Sequence, residues 1–296
     1  MNRDESLMNI EVTTEDLPYV DRDGELLLAR IYRPSELKQP GAAIVDVHPG
    51  AWSEGDRTWG QVYNEGLARR GFVVIALDFR QAPRFRHPAA SADVAAGVRW
   101  VRAASEHLGI DPSRIALVGS SSGGHLALLA ACRPNEPEHM GNPLRWGSQD
   151  AVDEDVDASA SCVAALWPPV DTFTRYDWLL ERLENASNDE RANYESLRRG
   201  MEAYFGDRET MRVASVPRIV RGGEATHIPP IWVCYPELDQ NVPFFIVQDL
   251  EKTWREAGGR VDVRVYPAQP HAFGHRPGAA TDEFVDDLAS FLATHL

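Results

Sequence analysis

Short apolar runs alternate along this chain with longer stretches whose apolar residues recur every three or four positions. ELLLARIY (25–32) reads as a strand before Pro34, while AAIVDVH (42–48) and FVVIALDF (72–79) are apolar on both faces. Runs of that kind belong in the middle of a parallel sheet covered on both sides. TWGQVYNEGLARRG (58–71) has helical spacing and ends at Gly71, a C-terminal stop signal. The next helix is SADVAAGVRWVRAASEHLGI (91–110), whose apolar stripe includes Val94, Val98, Trp100, Val101 and Leu108. RIALVG (114–119) is then a strand and GGHLALLAAC (123–132) a helix.

The rhythm continues with strands at SCVAALWPPV (161–170) and IPPIWVCYPE (228–237) and a helix at PFFIVQDLEKTWREAGG (243–259). A strand with alternating polarity, VDVRVYP (261–267), and a terminal amphipathic helix, TDEFVDDLASFLATHL (281–296), complete it. Such alternation predicts a single α/β domain built on a mostly parallel, doubly wound sheet. Two segments interrupt it. Residues 133–160, rich in Pro, Asn, Gly and acids, read as a long surface loop whose acidic run at 153–157 is solvated. Residues 172–227 carry short helical patterns and are too long for a plain crossover, so they read as a helical cap or insertion.

Composition narrows the function. Among 296 residues, 45 are acidic and 30 basic, a net charge of −15 that disfavours nucleic acid and anionic membranes as partners. The N-terminus carries charges where a signal peptide needs an apolar core, and no stretch approaches a membrane span. Cys132, Cys162 and Cys234 are far apart in apolar runs, which predicts buried reduced thiols and a cytoplasmic protein. A homodimer is compatible with all of this.

The stretch IALVGSSSGGH (115–125) sets three serines between glycines where a strand passes into a helix. Gly119-Ser120-Ser121-Ser122-Gly123 fits G-x-S-x-G in the context a nucleophile elbow requires. A sharp turn of this kind puts one residue at the apex with positive φ, and strand and helix pass closely on either side of it. Positions two before and two after the apex must therefore be almost without side chain. Only Ser121 has glycine at both, which makes it the expected nucleophile.

A serine hydroxyl needs a base, and the base needs an orienting acid. His271 follows the VDVRVYP strand in a loop expected at the C-terminal edge of the sheet. Asp239, in CYPELDQNVP, lies just past a strand and before Pro243. The order Ser, Asp, His is the one that α/β-hydrolases use. The oxyanion needs preorganised N–H donors. One is the backbone N–H of Ser122, at a helix N-terminus. Others are expected from DVHPGAW (46–52), where Pro49 has no N–H but Gly50 and Ala51 do. His48 is expected to brace this loop. Trp52, Trp167 and Tyr204 are candidates to wall a substrate pocket, with core packing as their other reading. No metal-ligand pattern emerges.

The set HPGAW, ALDFRQAP (76–83), RHPAA, GSSSGG, ELDQNVP and HAF resembles the α/β-hydrolase esterases. It is most similar to the hormone-sensitive-lipase-like and BD-FAE-type (feruloyl esterase-like) carboxylesterases, in family order from about residue 42 onward. Two departures stand out: HPGAW for HGGG, and Ser120 and Ser122 where the lipase-like branch has acid and alanine. The resemblance implies ester hydrolysis through an acyl-enzyme, with no metal or organic cofactor; the aromatic residues near the expected pocket point to a small or medium apolar or aryl ester. An amidase or formamidase on the same triad, a lyase or dehydratase on this fold, and a non-catalytic ligand-binding protein are the alternatives.

Overall fold

A computed structural model describes residues 10–37, 40–140, 144–146, 149–152 and 156–296. The charged N-terminal residues 1–9 and the acids at 153–155 lie outside the described residues. The centre of the molecule is a ten-stranded sheet in the order β10-β9-β8-β5-β3-β4-β2-β1-β6-β7. The parallel part comprises β3 (Gly41–Val47), β4 (Val73–Leu77), β5 (Ile110–Ser120), β8 (Cys162–Leu166), β9 (Ile231–Leu238) and β10 (Val261–Pro270). Apart from Asp46 and Ser120, β3, β4 and β8 and the second half of β5 present almost only apolar or small residues to both faces, and all of these are buried. Helices therefore cover both sides: α1 (Gln61–Arg69), α2 (Ala89–Ala103), α3 (Ser105–Leu108) and α4 (Ser122–Cys132) come before β8 in the chain.

The chain leaves β3 for β4 on one side and later returns through β5 on the other. That reversal opens a crevice at the carboxyl ends of β3 and β5, where open α/β sheets bind ligands. The sheet extends further than the hydrophobic pattern predicts. β1 (Val12–Arg22) pairs antiparallel with β2 (Glu25–Pro34) through Asp23 and Gly24, both at positive φ as a tight hairpin turn demands.

Residues 133–160 are only partly loop. The short strands β6 (Leu144–Trp146) and β7 (Gln149–Val152) add to the sheet beside β1, where Val20 pairs with Leu144. Leu144 is buried against the core, which is why this polar-looking segment is drawn in. The Arg99 guanidinium, also buried, ties the segment down by donating to the carbonyls of Pro134, His139 and Val156. Residues 172–227 contain α5 (Thr172–Asn185), α6 (Asn188–Phe205), α7 (Arg208–Val213) and α8 (Val216–Arg221). Asp171, Ser187 and Asp207 cap the first three, each accepting a backbone N–H. The chain ends with α9 (Phe244–Glu256) and α10 (Ala279–His295) on either side of β10. Among the described residues no helix is long and apolar enough to cross a membrane.

Candidate active site

β5 ends at Ser120 and α4 starts at Ser122, leaving Ser121 at the apex with φ 51° and ψ −121°. Such a conformation costs a non-glycine residue on the order of 1–3 kcal/mol and needs surroundings that enforce it. The flanking glycines show how tight they are. A Cβ on Gly119 would stand 2.3 Å from the Gly123 carbonyl oxygen, and one on Gly123 would stand 2.0 Å from the Val47 carbonyl oxygen. Any side chain at either position would force β3, β5 and α4 apart. The Ser121 N–H donates to the Leu166 carbonyl at 2.8 Å, which anchors the apex to β8.

His271 lies just beyond β10 and Asp239 just beyond β9. The imidazole spans the two predicted partners: Nδ1 is 2.7 Å from Asp239 Oδ2 and Nε2 is 3.1 Å from Ser121 Oγ. A carboxylate only accepts, so Nδ1 carries the proton and Nε2 presents a lone pair to the serine hydroxyl. The Asp239 side chain is fully buried. Its Oδ1 accepts the backbone N–H groups of Asn241 and Val242 at 2.8 and 3.0 Å, fixing the carboxylate plane. In the same loop the Asn241 carbonyl accepts from Arg175 Nε at 3.0 Å. Arg175, on α5, is buried, and burial pushes its pKa down to about 10 against the opposing charge of Asp239.

The loop after β3 lies against the first turn of α4. Gly50, Ala51 and Trp52 all have positive φ (124°, 50° and 61°), so the backbone turns sharply there. A Cβ on Gly50 would sit 1.8 Å from the Glu54 carbonyl oxygen. The Gly50 carbonyl accepts from the N–H groups of Ser53 and Glu54. Among the described residues, the N–H groups of Gly50, Ala51 and Ser122 donate to no backbone acceptor, and Ser122 as the first helical residue has none within α4.

His48 is buried and stacks on Phe79 with ring centroids 4.1 Å apart. Its Nδ1 donates to the Pro49 carbonyl at 2.6 Å, and burial pushes its pKa down to about 4, so the ring is neutral. It fills space beneath the loop, and among the described residues no hydrogen bond or ring contact joins its side chain to Ser121 or His271.

The predicted pocket residues are placed differently. Trp52, Trp167 and Tyr204 are all essentially fully buried and present no open wall. Trp52 stacks on Tyr204 with centroids 5.9 Å apart, and its Nε1 donates to His125 at 3.3 Å. Trp167 packs among His271, Phe273, His275 and Phe284. The rings support the reactive loops from below, where large aromatics bury the most area.

Three further residues escape sequence reasoning. Gly200, on α6, faces Ala51 so closely that a Cβ there would be 2.9 Å from the Ala51 Cβ. Arg175 and His275 likewise act through partners far away in the chain. His275 stands four residues after His271, a spacing that carries no functional signal by itself, and Pro277 argues against a helix that would make it a metal pair.

A family model described as BD-FAE matches residues 30–252. The chain belongs to the BD-FAE family. Among characterised relatives, esterase LipC of Mycobacterium tuberculosis is 30% identical over 284 residues, covering 93% of this chain and 63% of that protein. The ethyl acetate hydrolase of Pseudomonas putida is 40% identical over 119 residues, 39% of this BD-FAE chain and 37% of that protein. The chain thus spans less than two thirds of the length of these relatives. Solved structures give the same fold: the propionate-bound esterase Est2 of Thermogutta terrifontis has TM-score 0.69 at 22% identity, covering 99% of this chain and 97% of that one. A bacterial heroin esterase has TM-score 0.73 at 20% identity, covering 99% and 88%. These place the chain in the α/β-hydrolase fold.

Proposed function

We propose that this BD-FAE chain is a serine carboxylesterase acting through an acyl-enzyme on small or medium apolar esters, aryl esters included. The observation that carries the reading is His271, hydrogen-bonded at once to Ser121 and Asp239 across 150 and 32 residues of chain. In this reading, Nε2 of His271 removes the Ser121 proton as Oγ attacks the ester carbonyl, and Asp239 stabilises the imidazolium that forms. The N–H groups of Gly50, Ala51 and Ser122 receive the oxyanion, helped by the positive end of the α4 dipole. The imidazolium then protonates the departing alcohol. Water, activated by the same imidazole, releases the acid and restores the serine.

The helices over 172–221 serve in this reading as a cap, whose α6 bears on the oxyanion loop through Gly200. The relative named for ethyl acetate hydrolysis supports a short acyl group as the first substrate to try. The three buried, unpaired cysteines support a reducing compartment such as the cytoplasm.

The test pairs p-nitrophenyl acetate with the corresponding anilide, for wild type and Ser121→Ala. The expected result is a burst of nitrophenol and steady turnover from wild type, little from the anilide, and none above background from the folded variant. Faster anilide than ester cleavage would make the enzyme an amidase. Undiminished ester turnover by Ser121→Ala would remove the triad.

A further inference from the structure

We propose that Ser120 and His275 form a latch that positions His271 against Ser121. The inference rests on the triad reading above and adds two positioning residues to it.

Two adjacent serines each meet a histidine, and those histidines stand four apart in one loop. His275 closes a short 3-10 turn, Phe273–His275, that follows His271. Its Nδ1 lies 2.8 Å from the Trp59 carbonyl oxygen and its Nε2 lies 3.2 Å from Ser120 Oγ. A carbonyl only accepts, so the proton sits on Nδ1, and Nε2 of the neutral ring must accept from the serine. Desolvation lowers the His275 pKa and favours that neutral form.

Tyr63, the other neighbour of Ser120, gives its own proton to Asp46 Oδ1 at 2.9 Å, so its oxygen is a second possible acceptor, 3.4 Å from Ser120 Oγ. The imidazole Nε2 is nearer, at 3.2 Å, and is the stronger acceptor, so the single proton of Ser120 goes to His275. The pair reproduces the polarity of Ser121–His271, with a backbone carbonyl in place of the carboxylate.

What the latch joins explains its use. Ser120 is the last residue of β5, directly before the apex, and is itself completely buried. The chain turns sharply on both sides of His271: Ala268, where the register of β10 shifts, and Ala272, just after His271, both have positive φ. Asp239 holds His271 by one bond, and Phe273 packs against Trp167 and Phe284. The His275–Ser120 bond is the side-chain tie from this loop to the strand that carries the nucleophile. Trp167 packs against both histidines, with ring centroids 6.2 Å from His271 and 5.8 Å from His275, a shared contact through which the position of one ring bears on the other. Ser121 and His271 are 3.1 Å apart, near the upper end of the range for proton transfer, so a small slip of the loop breaks contact.

The experiment is a double-mutant cycle in kcat and KM on p-nitrophenyl acetate, with thermal melts alongside. Ser120→Ala removes the donor. His275→Asn keeps an N–H near Nδ1 for Trp59 but withdraws the acceptor. Each is expected to lower kcat about tenfold at unchanged KM. The double variant should be no worse than either single one, because both remove the same bond. His275→Gln, which carries an acceptor near the Nε2 position, should recover most of the loss that His275→Asn causes. Multiplicative losses in the double variant, or wild-type kcat in both single variants, would overturn the latch. So would losses confined to melting temperature. Ser121→Ala in the same assay separates the two levels: turnover by that variant removes the triad reading and the latch with it, whereas an inactive Ser121→Ala beside a fully active Ser120→Ala removes the latch alone.

Discussion

Gly200→Ala puts the link between α6 and the oxyanion loop to a quantitative test. The added Cβ would stand 2.9 Å from the Ala51 Cβ and 3.1 Å from the Ala51 carbonyl oxygen. Unstrained carbon contacts lie at about 3.5–4.0 Å, so helix and loop must separate by roughly 0.6–1 Å. The cost in stability is bounded by two opposing effects. Alanine in a helix interior contributes about 1 kcal/mol over glycine, and overpacking costs about 1–3 kcal/mol, for a net loss of about 0–2 kcal/mol. Catalysis has no such compensation. One oxyanion donor is worth about 10²–10³ in kcat, and a displacement of several tenths of an ångström weakens two of them. We expect kcat to fall about 10–100-fold with a small change in melting temperature and a parallel fall in fluorophosphonate labelling rate. A kcat within twofold of wild type, whatever the melt shows, would refute the claim that α6 sets the position of Gly50 and Ala51.

Two other changes test the electrostatics behind the elbow. Burial pushes Asp46 up to about 6 from an ordinary value of 3.8. Between those pH values the folded protein holds a proton that the unfolded chain has released, so stability falls as pH rises through this window and the cost is complete above it. At 1.36 kcal/mol per unit this is on the order of 3 kcal/mol. Asp46→Asn should therefore stabilise at pH 8 by up to that amount and give no gain at pH 4 or below, read by urea melts at both pH values. The orphaned Oδ1 of Asn64 becomes able to accept from the new amide once Asn64 flips. An effect independent of pH would sink the assignment. Ser122→Ala should leave turnover close to wild type and raise stability by about 1 kcal/mol, since the Ser122 hydroxyl is buried without a partner. A large loss of turnover would mean that the side chain, and not only the N–H, serves the reaction.

Much of this was legible in the chain because the chemistry demands particular residues at particular places. The glycines around Ser121 are required by contacts of 2.0–2.3 Å, so the sequence carries the shape of the turn directly. Asp239 and His271 follow strands that the apolar runs mark clearly. β1 was hidden because VTTEDLPYVDR has no clean alternation, although Asp23-Gly24 marks its turn. Trp52, Trp167 and Tyr204 carry no local sign of whether a ring faces substrate or core, and the fold buries all three. Gly200, Arg175 and His275 act on Ala51, Asn241 and Ser120, contacts that exist only once distant elements meet.

The central claim is that Ser121, and neither neighbour, is the nucleophile. Fluorophosphonate trapping followed by peptide mapping addresses it directly. We predict a single adduct on Ser121 of the intact protein, abolished in His271→Ala. A label on Ser120 or Ser122, or labelling that survives loss of His271 undiminished, would contradict the account.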